Sequence, residues 1–276
     1  MGLPRRFTPG WQTPRPMPAV LAALLALPLT LLGGSPAGAA SGTPITACGT
    51  TISAPGAYYL ANGLSEADHN TTCITITASN VTLNLNGQAS TSTAGVTTFI
   101  EADAVHNLVI QGGGSRTPGS FSGFSDGIEF SGVQNSVVMG VSAADTSLYA
   151  FHVFDFGPGT PSKDNTFSGN IVTGSTFGFL IQGSGHNTIK GNTVSSGLQI
   201  GISIAAGKGN VVQGNTVTGE PVWGILVGPP ATDTLIQGNT VTGSGTFDLQ
   251  DNNAACGSDH WSSNHFGTAD PSSCIH

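Results

Sequence analysis

Asn187-Thr-Ile-Lys-Gly-Asn192 runs on as Thr-Val-Ser-Ser-Gly-Leu-Gln-Ile-Gly-Ile-Ser-Ile204, and this stretch decides the fold. Its first phrase is written three more times, as Asn165-Thr-Phe-Ser-Gly-Asn170, Asn210-Val-Val-Gln-Gly-Asn215 and Thr234-Leu-Ile-Gln-Gly-Asn239. A second phrase lies between the copies, in Gly178-Phe-Leu-Ile181, Gly201-Ile-Ser-Ile204 and Gly224-Ile-Leu-Val227. Each repeat therefore holds two short runs that alternate apolar and polar, bounded by Gly or Asn, and period two is the mark of a strand. The Gly-Asn pairs recur at steps of 22, 23 and 24 residues. That period is too short for a propeller blade and carries no leucine-rich signature, so the expectation is an all-β, single-stranded parallel β-helix, a solenoid of about eight coils.

Successive coils of such a solenoid lie roughly 4.8 Å apart, so equivalent positions stack in files. Two files read as inward and apolar: Ile128, Phe151, Phe179, Ile202, Ile225, Phe247, and Phe130, Val153, Ile181, Ile204, Val227, Leu249. No coil buries these side chains alone, and stacking gives them a continuous core. The Asn positions fall at turns, where their amides form ladders and where Asn and Gly accept positive φ.

Residues 1–40 contain Arg5, Arg6 and Arg15, no acid, an apolar run from Ala19 to Leu32 and Ala37-Gly-Ala39. They read as a secretory signal peptide cut after Ala39 or Ala40, with an apolar run too short for a mature membrane anchor. Residues 41–276 then form one domain, with an N-terminal cap coil at 41–78 and a C-terminal cap at 251–276. Four basic residues (Arg116, Lys163, Lys190, Lys208) remain against fifteen acidic ones, a formal charge of −11. This balance disfavours nucleic acid and anionic membranes, and it disfavours a polyanionic substrate unless a cation such as Ca²⁺ intervenes. Four cysteines in an exported chain read as two disulfides. Cys48 and Cys73 stand 25 residues apart, about one coil, which brings them within bonding reach and leaves Cys256 with Cys274 at the other end.

The opening Cys48-Gly-Thr-Thr-Ile-Ser with Ile74-Thr-Ile-Thr-Ala-Ser-Asn-Val-Thr-Leu-Asn-Leu-Asn-Gly87 resembles the N-terminal coil of secreted right-handed parallel β-helix proteins, the pectate lyase-like and NosD-like superfamily. Asp251-Asn-Asn with Cys256-Gly-Ser-Asp-His-Trp261, Asn264-His-Phe266 and Cys274-Ile resembles their C-terminal cap. The resemblance covers nearly all of the chain after residue 40. It implies the fold, and it implies a partner among extracellular polysaccharides, because that group contains polysaccharide lyases, glycoside hydrolases, epimerases and adhesins. Asn-Thr-Asp, Asp-Asp and Gly-His-Gly signatures of polygalacturonase-like enzymes are missing from the sequence, and Met139 is the one Met after residue 40, which speaks against a soft copper site.

Between the inward files, the outward position reads Glu129, His152, Leu180, Ser203, Leu226, Asp248. Glu129 and His152 are one coil apart and so neighbours on one face, either a poised acid–base pair or a surface charge pair. Asp126 and Asp155, at the two ends of these strands, are candidate second carboxylates or turn caps. Phe154 and Tyr149 offer faces for sugar stacking, and Arg116 and Lys163 lie in two extra loops, 113–125 and 156–164, expected to wall the groove. Asp259, His260 and His265 match no standard zinc spacing and read as a polar cap. The expectation is thus a β-helix protein, outside the cytoplasm, that binds a polysaccharide on its outer sheet face, with cleavage as lyase or hydrolase left open. The alternative is a non-catalytic cell-wall, matrix or adhesion module.

Overall fold

The computed structural model describes residues 41–67, 72–94, 97–113, 117–155 and 159–276. The leader at 1–40 and Arg116 lie outside these residues. The chain is an all-β, right-handed parallel β-solenoid of about nine turns. Three parallel sheets of ten, nine and ten strands run its length, here called sheets I, II and III in the order one turn visits them.

One turn shows the construction. Thr188–Lys190 lies in sheet I, Thr193–Ser195 in sheet II and Ile200–Ile204 in sheet III. A turn therefore has three strands where the sequence suggested two. The reason is Gly191, whose φ of +61° bends the chain between Lys190 and Asn192 and divides one apparent run between two sheets. Each sheet sends a column inward: Ile110, Val138, Phe167, Ile189, Val212 and Ile236 from sheet I, and Phe121, Ala143, Val172, Val194, Val217 and Val241 from sheet II. All are buried. Sheet III sends two, and in the first Phe151 stacks on Phe179 with ring centres 4.6 Å apart.

The register of sheet III matches the expected files except in the last turn. Ile225 pairs with Leu249 and Val227 with Asp251, while Phe247 pairs with Trp223. That turn spans 24 residues, as Asn215 to Asn239 does, so the expected columns were two residues short there. Gln250 takes the outward place expected for Asp248. Asp248 is buried, and its carboxylate accepts hydrogen bonds from the backbone N–H groups of Ser244, Gly267 and Thr268. The extra turn relative to eight comes from the tail, where His260–Ser262, His265–Phe266 and Ala269–Asp270 add one more strand to each sheet.

The corner between sheets I and II carries the amide ladder. Asn192 Oδ1 accepts from the Asn170 backbone N–H at 2.8 Å, and Asn192 Nδ2 donates to Phe167 O and to Asn215 Oδ1, both at 3.0 Å. Asn170, Asn215, Asn239 and Asn264 repeat the pattern. A parallel ladder runs through Asn165, Asn187 and Asn210 and ends where Asp259 accepts from the Thr234 N–H. The cap is completed by Trp261 Nε1 donating to Asp251 and Asn253 Nδ2 donating to Asp259, which makes the Asp259 region a polar lid. Cys48 is bonded to Cys73 and Cys256 to Cys274. Among the described residues, no helix is long and apolar enough to cross a membrane.

Candidate functional site

The candidate site grows from a break in the strand alternation of sheet III. In Phe177–Gln182, Ile200–Ile204 and Trp223–Val227 the second residue is Gly, facing inward against sheet II. A Cβ there would come within 2.8 Å of Val194, 2.4 Å of Val217 and 2.2 Å of Val241, respectively, so only Gly fits. Because the next residue also faces in, the one before Gly and the one two places after it both face out. Two outward files result: Thr98, Asp126, Tyr149, Phe177, Ile200, Trp223, Phe247, and beside it Glu101, Glu129, His152, Leu180, Ser203, Leu226, Gln250.

Glu129 and His152 are direct neighbours in the second file, with Oε1 and Nδ1 3.1 Å apart. With the carboxylate accepting, the ring proton sits on Nδ1, and Nε2 of the neutral ring is left as an acceptor. The imidazole lies between two other rings, Tyr149 at 4.3 Å and Phe154 at 4.6 Å between centres. His152 is 5% exposed as a result, and its Nε2 is buried with no hydrogen-bond partner. The expected solvated surface pair is thus a roofed one, and the nitrogen meant for substrate is covered.

Asp126 follows Thr98 in the neighbouring file. Its Oδ2 accepts from the Ser125 hydroxyl at 2.9 Å, and its Oδ1 is buried without a partner. Burial, and after it the Glu129 charge, push its pKa up to about 6. Burial and the same two carboxylates also raise the Tyr149 phenol, whose ring packs tilted against Phe177 with centres 5.4 Å apart. Thr98 donates to Glu129 Oε2 at 3.4 Å, and Thr72 donates to Glu101 Oε2 at 3.1 Å.

The other candidates fall elsewhere. Asp155 follows Tyr149–Phe154 at the far end of the strand, and its Oδ1 accepts from the Ser162 N–H at 2.6 Å, closing the long loop. It lines a pocket of about 190 Å³ together with Asp103, Ser131 and Thr160. Lys163 sits in a ladder of bridges with Gln134 and Gly185 at the corner between sheets III and I. The loop at 156–164 therefore borders the groove, its residues 156–158 lying outside the described ones. Of the loop at 113–125, residues 114–116 lie outside the described ones; Gly113 and Thr117 stand at the corner between sheets I and II, and residues 123–125 lead into Asp126–Ser131 of sheet III. His260 and His265 belong to strands of sheets I and II.

Sequence reasoning missed Glu101 and Asp103. The signal was present, since Glu101-Ala-Asp103 lies 28 residues before Glu129-Phe-Ser131 and alternates in the same way, but the longer turn hid its register. It also missed Glu220, buried at the corner between sheets II and III. Its Oε1 accepts from the Gly197 N–H at 3.4 Å, its Oε2 has no partner, and burial pushes its pKa up to about 7.

Residues 159–269, less than half of the chain, match the family model described as periplasmic copper-binding protein (NosD). Among proteins of curated function, none matches the sequence. Solved β-helices are distant. The mannuronan C-5 epimerase AlgE6 A-module of Azotobacter vinelandii is 12% identical, with 83% of this chain and 86% of that one covered and a TM-score of 0.34. The periplasmic alginate epimerase AlgG is 10% identical over 77% and 67%, with a TM-score of 0.35. ORF18 of Geobacillus virus E2 is 10% identical over 78% and 53%, with a TM-score of 0.33. The copper in the family description finds no fit among the described residues: no group of three or more His, Cys, Asp or Glu side chains could hold a metal, both cysteine pairs are oxidised, and Met139 stands alone on sheet I.

Proposed function

The chain is a right-handed parallel β-helix protein with NosD-like repeats, and from that premise we propose that it binds a glycan outside the cytoplasm on the outer face of sheet III. The carrying observation is the cluster in which Tyr149, His152, Phe154 and Phe177 pack as neighbouring, mutually tilted rings beside the carboxylates of Asp126 and Glu129. Aromatic faces take the apolar side of a sugar ring, and carboxylate oxygens take its hydroxyls. The two disulfides fit an oxidising compartment and so a secreted protein that meets such polymers.

Binding is the first claim and cleavage the second. A general acid with a pKa near 6, as for Asp126, suits proton transfer close to neutrality, and the Glu129–His152 pair holds a fixed tautomer beside it. The buried Nε2 of His152 favours the non-catalytic module, since Tyr149 or Phe154 must move before that nitrogen meets a substrate. A glycan array with the secreted protein, followed by a panel assay for reducing ends and unsaturated sugars, separates silence, binding and catalysis. Where turnover is found, Asp126→Asn and His152→Ala should each lower it by about a hundredfold without unfolding the chain. Unchanged turnover in both variants removes the chemistry from this cluster.

A further inference from the structure

Three observations on the outer face of sheet III have no use in holding the fold, and together they specify a ligand. The first is charge. Glu101, Asp103, Asp126 and Glu129 stand on neighbouring outward positions of two successive strands, Thr98–Asp103 and Asp126–Ser131, with Asp155 at the rim. No strand of sheet III contains Lys or Arg. Among the described residues the basic side chains lie elsewhere: Lys190 on sheet I, Lys163 in the corner ladder, and Lys208 paired to Asp233 at 3.3 Å.

The second is unmet hydrogen bonding. His152 is about nineteen-twentieths buried, and its Nε2 has no partner; Asp126 Oδ1 and Gln250 Oε1, on the same two files, are also buried and unpartnered. Asp126 Oδ1 and Gln250 Oε1 are acceptors, and so is Nε2 of His152 in the neutral tautomer that donates from Nδ1 to Glu129. Trp223 Nε1 is the one orphaned donor on the face. A partner rich in donors is therefore wanted, and one rich in acceptors is repelled. The third is an apolar track. Tyr149, Phe177, Trp223 and Phe247 succeed one another along the file, with the buried Ile200 filling the turn between Phe177 and Trp223, leading away from the acidic end. Their spacing of roughly 4.8 Å is close to the length of one sugar in an extended 1,4-linked chain.

We infer that the glycan is a cationic one, a linear polymer of amino sugars with free amines, lying along the solenoid axis. Its ammonium groups meet the carboxylates at the Glu101 end, and its ring faces lie on the track. This rests on the proposed glycan-binding function and narrows it to a substrate class. A polyuronate would set its carboxylates against those of the protein, and like charges brought together at an interface repel. A basic peptide would satisfy the charge but not the ladder of flat faces.

Titration calorimetry on the protein, at pH 7, above the raised Asp126 pKa of about 6 and where a good part of the sugar amines still carries charge, tests it with five probes: a glucosamine hexamer, its fully N-acetylated form, cellohexaose, a hexauronate and hexalysine. The glucosamine hexamer is expected to bind at least tenfold more tightly than each of the others, with an advantage that shrinks as salt is added. The double variant Glu101→Gln, Asp103→Asn, checked for folding by circular dichroism, is expected to reduce the amine oligomer to the affinity of its acetylated form and to leave the neutral oligomers unchanged. Equal binding of cellohexaose or the acetylated hexamer overturns the cationic class while glycan binding survives. Tightest binding of the hexauronate or of hexalysine overturns it as well, as does an unaltered affinity in the double variant. If no saccharide binds, the proposed function fails with it.

Discussion

The corner between sheets I and II and the outer face of sheet III belong to the same turns and are built to opposite rules. At the corner every amide is used: Asn192 alone joins three turns through its side chain, and the ladder members from Asn170 to Asn239 are 1% exposed. On the face, buried acceptors stand idle, and burial together with the Glu129 charge holds the Asp126 pKa up. The corner is saturated and so supplies stability and register; the face is unsaturated and so retains capacity for a partner.

The largest expected effect falls on the corner. Asn192→Leu leaves the Asn170 N–H, the Phe167 carbonyl and the Asn215 amide short of partners, and should cost roughly 3–5 kcal/mol in urea unfolding. A loss below 1 kcal/mol would show that the ladder fills space and little else. Next, replacing Cys48 and Cys73 together by Ser should cost about 2–4 kcal/mol, mostly by freeing the unfolded chain.

Glu220 sharpens the comparison, because it is an unsaturated group placed inside. Its folded pKa is raised to about 7 from 4.5, so the native state holds a proton that the unfolded state releases. Stability contributed by the neutral acid is complete below 4.5, falls by about 1.4 kcal/mol per pH unit as pH climbs toward 7, and stays low above it. Glu220→Gln should flatten that slope and gain on the order of 2–3 kcal/mol at alkaline pH, with little change in acid. A parallel pH profile for wild type and variant would place the titration elsewhere. The smallest effect on stability belongs to the face. Tyr149→Ala should leave the thermal midpoint nearly unmoved yet weaken glycan binding about tenfold, the value of one lost stacking platform. A large drop in midpoint with unchanged affinity would reverse the division of labour between the two regions.

Much of this was legible in the sequence because the core repeats strictly. Ile128, Phe151, Phe179, Ile202 and Ile225 align by eye, and the Glu129–His152 adjacency follows from their register alone. The third strand was hidden because the corner takes only Gly191 and Asn192, too short a break to read as a turn between two strands. Asp248 was misplaced because turn lengths vary by two residues, enough to shift a file to the next inward position. The roofing of His152 had no sequence signal. It depends on two outward rings, Tyr149 and Phe154, leaning together over one residue, which is a matter of rotamers and not of period.

The amide ladder has a direction. In every rung the backbone N–H of one turn is received by the side-chain oxygen of the turn that follows: Val141 by Asn170, Asn170 by Asn192, Asn192 by Asn215, Asn215 by Asn239, Asn239 by Asn264. At this corner the Asn backbone N–H of a turn is thus received by its successor, while the Nδ2 of each Asn reaches back to a carbonyl of its predecessor. For a chain that leaves the ribosome or a membrane pore N-terminus first, each coil waits half-made until the next arrives, and the arrival of Asn264 and Asp259 closes the series. A cut from the back leaves the corner N–H of the new last coil without its acceptor, whereas a cut from the front leaves every remaining corner N–H received, so at this corner loss of the end is expected to cost more than loss of the beginning.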